Sequence, residues 1–187
     1  MNTDRGRILL AIARAAIAER FGKRIVVDET PAWLQEWGAT FVTLTQNGQL
    51  RGCIGSLEAR RSVLEDVRAN ARAAAFHDPR FAPLTPDELE QTDIEVSLLT
   101  APQALSFHTE QEALAQLRPH VDGVVFEYGT YRSTFLPQVW EQLPGPVDFM
   151  AQLKHKAGLS PRFWHDGVRL SRYTVTKWSE RDFRETT

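Results

Sequence analysis

From the amino end, Ile8, Leu9, Ile12, Ala15 and Ala16 recur at helical spacing, with Asp4 placed as an N-cap and Gly22 placed as a stop. This pattern predicts an amphipathic helix that packs on the rest of the chain. After Ile25-Val26-Val27 and a Pro-containing connection the period becomes strand-like. Residues 40–45 are rich in β-branched side chains, and Asn47-Gly48 separates them from Leu50-Arg51-Gly52-Cys53-Ile54-Gly55. Asn-Gly between two such runs predicts a hairpin, because both residues tolerate the positive φ of a type I′ turn. Ser62 and Glu65 have the capping-box spacing and open a helix through Val63, Val67, Ala71 and Ala74 to about Phe76. Thr85-Pro86-Asp87-Glu88 repeats the device for a short helix, and Ile94-Glu95-Val96-Ser97-Leu98 alternates as a half-buried strand does.

The second half follows the same order. Val124-Val125-Phe126-Glu127-Tyr128 and Tyr131-Arg132-Ser133-Thr134-Phe135 flank a Gly129-Thr130 turn, and a short helical stretch starts at Pro137. Gly145-Pro146 then opens a helix with Val147, Met150, Leu153 and Ala157 inward and Gly158 as its stop, and residues 168–178 close the unit as a strand. Hairpin, two helices and strand therefore occur twice, over residues 25–100 and 104–178. No segment between them has the composition of a linker, so one domain over residues 1–187 with a shared core is expected.

Composition narrows the classes of function. With 42% hydrophobic and 25% charged residues the chain has the make-up of a folded protein. Its 22 Lys and Arg against 24 Asp and Glu leave no basic excess, so neither nucleic acid nor an anionic membrane is an expected partner. The charged start Met1-Asn2-Thr3-Asp4-Arg5, followed by Arg7, Arg14 and Glu19 within the first helix, fits neither a secretory signal nor a spanning segment, and a cytoplasmic protein is expected. The single cysteine has no internal partner, and no Cys/His cluster has structural-zinc spacing. No phosphate-binding glycine loop, HExxH pair or GxSxG elbow is present, so no metal and no cofactor is expected. The five tryptophans, Trp33, Trp37, Trp140, Trp164 and Trp178, read as core and rim rather than as a stacking platform.

The distinctive chemistry is the glycine-flanked Cys53. Gly52 and Gly55 allow the backbone to approach something closely, and Arg51 adds a forked cation suited to carboxylate or phosphate that also favours a thiolate. A thiol nucleophile or an anion-binding loop is one reading. A packed strand with a small buried thiol is the weightier one, since free Cys is often buried and Gly in a strand marks tight packing. A cysteine enzyme also needs a base, and sequence distance does not say which of His77, His108, His120, His155 or His165 lies near Cys53. His77-Asp78-Pro79-Arg80-Phe81 reads as a turn beyond a helix end. Asn70 falls on the apolar stripe of its helix and should be buried with a partner or line a pocket as a binding residue. Glu95 faces water or, on a curved sheet, a cavity.

Together these segments resemble the AMMECR domain family, whose bacterial form is called AmmeMemoRadiSam system protein A. The resemblance is carried by Leu50-Arg51-Gly52-Cys53-Ile54-Gly55, by Asp78-Pro79-Arg80-Phe81 with Pro83, and by Glu88-Leu89 with Glu95-Val96-Ser97-Leu98. Gly123, the run from Thr134 to Trp140, Lys156-Ala157-Gly158-Leu159 and Trp164 extend it over nearly the whole chain. It implies an α+β fold in which duplicated hairpin-helix-helix-strand units form one curved, barrel-like antiparallel sheet flanked by helices. It also implies company with a Memo-type protein and a radical SAM protein, no settled reaction, and a motif without histidine, which counts against a Cys-His dyad. Two functions are then in play. One is a binding or adaptor protein that works through Arg51, Gly52, Cys53, Ile54 and Gly55. The other is an enzyme using Cys53 as nucleophile or redox thiol on a small acidic substrate that Arg51 orients, with Asp78, Arg80 or Glu95 on the pocket wall.

Overall fold

The computed structural model describes residues 2–184. Helix α1 (Asn2–Glu19) buries Leu9, Ile12 and Ala16 as the pattern predicts, but also Leu10, Ala13 and Ile17, so more than one stripe is covered. Asp4 lies inside the first turn rather than ahead of it, where a carboxylate still complements the positive end of the helix dipole. Gly22 has φ +72°, and the Lys23 N–H donates to the Ala18 carbonyl at 3.1 Å, which ends the helix in a left-handed turn.

A 3₁₀ turn at Ala32–Gln35 leads to β1 (Trp37–Gln46) and β2 (Gln49–Gly55), joined by Asn47 at φ 50° and Gly48 at φ 78°. β3 (Arg61–Ser62) pairs with the start of β1, and α2 (Val63–Phe76) opens on Ser62 and Glu65 bonded in both directions. α3 (Pro86–Leu89) and β4 (Asp93–Leu99) follow, then β5 (Gln103–Ala104), α4 (Glu110–Gln116), β6 (Gly123–Tyr128) and β7 (Tyr131–Phe135). A 3₁₀ turn at Pro137–Glu141, α5 (Pro146–Lys156), β8 (Arg169–Tyr173), β9 (Val175–Ser179) and α6 (Glu180–Arg184) complete the chain. In α5 the inward residues are Phe149, Met150, Leu153 and Lys154, whereas Val147 is 69% exposed, contrary to the predicted stripe.

The fold is α+β, with antiparallel sheets flanked by helices. The strands form two sheets where one was expected, in the orders β2-β1-β4-β9, with β3 on β1, and β5-β8-β6-β7; neither order closes into a barrel. The predicted strand over residues 168–178 is two strands in different sheets. It breaks at Thr174, whose N–H donates to Thr100 Oγ1 at 2.8 Å while the Thr100 N–H donates to the Thr174 carbonyl at 2.9 Å. The chain thus changes sheet at both places where these threonines meet. Two compact units result, one of residues up to Leu99 with the segment from Thr176 on, the other Thr100–Val175. Most buried apolar side chains fall into two clusters, each between a sheet and its own helices.

In the first unit α1 packs on α2, and α2 lies across β1 and β2. Arg14 ties its parts together. The guanidinium donates from Nε and Nη2 to Glu180 of α6 at 2.6 and 2.7 Å, and from Nη1 and Nη2 to the Leu89 and Thr92 carbonyls at 3.1 and 2.7 Å. Glu180 also accepts the Ile94 N–H of β4 at 3.0 Å. Arg14→Ala strands this carboxylate and two carbonyls together, and is expected to lower unfolding free energy by about 2–3 kcal/mol in urea denaturation.

Candidate functional site

The Arg51–Gly55 segment occupies β2, an edge of the first sheet. Leu44 faces Gly52 while Thr45 faces Leu50, so Arg51 is the extra residue of a β-bulge. A bulge re-aims its side chain, and here Arg51 turns to α3. Its Nε and Nη2 donate to Glu88 at 3.0 and 3.2 Å, Nη2 also reaches the Ala82 carbonyl at 2.9 Å, and the guanidinium sits 5.8 Å from the Phe81 ring centre. Nη1 is buried and is the one buried side-chain nitrogen or oxygen among the described residues without a hydrogen-bond partner. Arg51 in turn draws the Glu88 carboxyl down from 4.5 to about 2, with help from the Thr85 N–H.

The two glycines have packing reasons. A Cβ on Gly52 would lie 2.1 Å from the Ala74 carbonyl oxygen of α2, and one on Gly55 would lie 2.2 Å from the Phe41 ring. What the backbone approaches is the protein itself. Ile54, between them, packs against the core of the first unit.

Cys53 is half-buried, and its main chain points off the sheet edge. Its N–H donates to Asp78 Oδ2 at 3.0 Å and its carbonyl accepts from Arg80 Nη2 at 3.4 Å. Asp78 also takes the Arg80 Nη2 at 2.8 Å, and the Arg80 Nε and N–H at 3.0 Å each, so the pair forms a side-chain cap over the unpaired strand edge. The Asp78 side chain is only 2% exposed, and these bonds, Arg80's first, hold its carboxyl far below the usual range. The guanidinium that bonds Cys53 is therefore Arg80's, not that of neighbouring Arg51.

On its outer face Cys53 Sγ accepts from the Thr43 hydroxyl at 3.3 Å. Thr43 pairs with Cys53 on one side and with Glu95 on the other, and Glu95 lies 3.8 Å from Lys177 Nζ of β9. Because Val42, Leu44, Ile94 and Val96 are buried in the first core, the alternation of a strand places Thr43, Cys53, Glu95 and Lys177 on the opposite face. They form one row across four neighbouring strands. Among the described residues no histidine hydrogen-bonds Cys53, and no group of three or more His, Cys, Asp or Glu is placed to hold a metal ion.

Asn70 belongs elsewhere. It is 4% exposed, and its Nδ2 lies within 3.0–3.2 Å of the Thr40 carbonyl and hydroxyl, Ser56 Oγ and Asp66 Oδ2. Asp66, 1% exposed, accepts from the Thr40 N–H and hydroxyl, Ser56 Oγ and Arg61 Nε at 2.7–2.8 Å. This buried network fastens α2 to β1 and to the residue after Gly55. Of the residues singled out in the sequence, the structure brings Cys53, Asp78, Arg80 and, through Thr43, Glu95 together; Arg51 and Asn70 serve other partners. Thr43, Lys177, Asp66 and Glu88 were missed. Thr43 had only a partial signal, since an unbroken Asn-Gly hairpin sets it opposite Gly52 and the bulge at Arg51 moves it to Cys53; Lys177 had none.

The AMMECR1 family model matches residues 10–178. Protein MJ0810 of Methanocaldococcus jannaschii is 35% identical over 185 residues, which span 96% of this chain and 92% of that protein. A protein of Methanothermobacter thermautotrophicus is 37% identical over 170 residues, spanning 89% and 88%. The crystal structure of the uncharacterized protein PH0010 from Pyrococcus horikoshii is similar with a TM-score of 0.74 at 32% identity, covering 94% of this chain and 91% of that one.

Two predictions follow from the site's geometry. Gly52→Ala forces β2 off α2 and is expected to cost about 1–3 kcal/mol in denaturant unfolding. Because the Asp78 and Glu88 carboxyls are lowered by folding, their ionised forms favour the native state. That stability is complete above about pH 4.5; the share of Glu88 is lost as pH falls toward 2, and that of Asp78 at lower pH still. Urea midpoints measured from pH 6 downward should drop in that window, and Glu88→Gln should flatten the drop.

Proposed function

The chain belongs to the AMMECR1 family, and on that footing we propose that it is a binding or adaptor protein of the cytoplasm, acting with a Memo-type and a radical SAM protein through the Arg51–Gly55 segment and the sheet face that Cys53 shares. The partners are those the family resemblance implies. The observation that carries the reading is the division between groups that hold the segment and groups it presents. Arg51, Asp78 and Arg80 are engaged in internal ion pairs, and both glycines are filled by α2 and Phe41. Thr43, Cys53, Glu95 and Lys177 remain as a fixed row of hydroxyl, thiol, carboxylate and ammonium, at spacings of about 5 Å from strand to strand. A polar surface already held in place binds with little further loss of entropy. Among the described residues no helix is long and apolar enough to cross a membrane.

A second reading, an enzyme whose Cys53 acts as nucleophile or redox thiol on a small acidic substrate, draws on one observation. The half-buried thiol has Thr43's hydroxyl on its sulfur and Arg80's guanidinium on its own carbonyl, which holds it in a fixed polar setting.

Titration calorimetry against purified Memo-type and radical SAM proteins is expected to give a complex that Glu95→Ala or Lys177→Ala weakens about tenfold. Native iodoacetamide labelling of Cys53 at neutral pH should be no faster than that of free cysteine under the same conditions. Labelling at least tenfold faster, with no complex in calorimetry, would move the assignment to the thiol enzyme.

A further inference from the structure

The second unit holds a cavity of about 690 Å³, walled by β5 and the residues after it, the end of β6, the 164–166 turn and β8. None of the residues that line it belongs to the site around Cys53. Its volume falls within the roughly 300–1,000 Å³ of small-molecule sites, and its chemistry is more specific than its size. Phe107 and Trp164 contribute rings 5.7 Å apart at 51°. Lys154 backs Trp164, its ammonium 5.5 Å from the ring centre and its side chain 2% exposed and paired with Glu110, so the indole is held in place.

His165 is fixed as well. Its ring rests 5.1 Å from that of Tyr128, and Nδ1 accepts the Gly167 N–H at 2.9 Å. With Nδ1 an acceptor, the proton of the neutral imidazole sits on Nε2, which is left to donate. Arg169 on the same wall is 76% exposed and lies 3.8 Å from Glu127, a carboxylate already held by Arg132 at 3.0 Å, so its planar fork has capacity for an anion. Asp166 adds an exposed acceptor.

An indole face, an imidazole donor, a carboxylate and an exposed guanidinium around one cavity select for a particular chemistry. We propose that this cavity binds a small amino-substituted heteroaromatic anion, of the kind represented by an adenine mononucleotide. The ring lies on Trp164, Nε2 of His165 donates to a ring nitrogen, Asp166 takes the exocyclic amine, and Arg169 takes the anionic group. Nothing in this site requires a glycine-rich phosphate loop, because one phosphate on one guanidinium is enough for a modest affinity.

The test uses the full chain with adenosine monophosphate, adenosine and inorganic phosphate as probes, read by saturation-transfer NMR and calorimetry. The nucleotide is expected to bind with a Kd of about 1 mM or tighter, and adenosine about tenfold more weakly. Trp164→Leu should weaken nucleotide binding about tenfold or more, as loss of a stacking partner does. Should Trp164→Leu unfold the second unit, Arg169→Gln decides: the exposed substitution should bring the nucleotide down to adenosine's affinity. Absence of saturation transfer to the adenine protons, or equal nucleotide affinity for wild type and Arg169→Gln, overturns the proposal.

Discussion

The main chain of β2 passes α2 so closely that a side chain at residue 52 has no room beside the Ala74 carbonyl. Much else in the first unit follows from that approach. With helix and strand touching backbone to backbone, alternation sends Ile54 to the core and Cys53 to the other face. The same contact sets what meets the strand edge. α2 ends at Phe76, and the turn that leaves it carries Asp78 and Arg80 onto the N–H and carbonyl of Cys53. A sheet edge that would otherwise invite a further strand is thereby closed by an ion pair. The bulge at Arg51 completes the arrangement by sending that guanidinium to α3 and away from the thiol.

The two sheets share an order that neither needs for its own sake. In each, the second strand of a hairpin is followed by the first and then by the strand that comes after the helices: β2-β1-β4 and β7-β6-β8. Each is finished by a strand from beyond the other's last, since β5 follows β4 but pairs with β8, and β9 follows β8 but joins β4. We propose that residues 25–100 and 104–178 are copies of one hairpin-helix-helix-strand unit whose flanking strands are exchanged. The exchange explains why residues 168–178 read as a single strand: the apolar pattern runs on through Thr174 while the hydrogen-bonding partner changes.

Elements with a local cause were legible in the sequence. The Asn47-Gly48 turn, the Ser62/Glu65 box and the stop at Gly22 each rest on a few adjacent residues, and the backbone obeys them. Of the two places the apolar stripe left for Asn70, a buried network or a pocket wall, the structure has the first. Less legible was whatever depends on register between distant strands or on what meets a given face. Periodicity marks Val147 as inward, but α5 turns Phe149 and Lys154 inward instead, the latter to reach Glu110. The Arg51–Gly55 segment stands out in sequence for the right reason, an unusual backbone requirement. Its cause, though, is the Ala74 carbonyl and the Phe41 ring, neither of which is visible from the segment itself.

That cause alters the weight of the thiol. Glycines flanking a cysteine suggest a ligand-contacting loop only while nothing else accounts for them, and here both are accounted for by packing. The thiol's standing then rests on its surroundings, which are strand-mounted: Thr43 and Glu95 on the two inner strands, Cys53 and Lys177 on the flanking ones. Groups on paired strands keep fixed separations and cannot close around a reacting atom as loop residues do. Fixed separation is what recognition of a rigid partner needs. The groups able to shift charge near Cys53, Asp78 and Arg80, are locked to each other by three hydrogen bonds, and a fourth ties Asp78 to the Cys53 amide. A carboxylate held far below neutrality by its own guanidinium accepts no proton from a thiol at physiological pH. On the binding reading proposed above, the polar row presents the thiol on a rigid face, and what lies against that face is the place to look for its role.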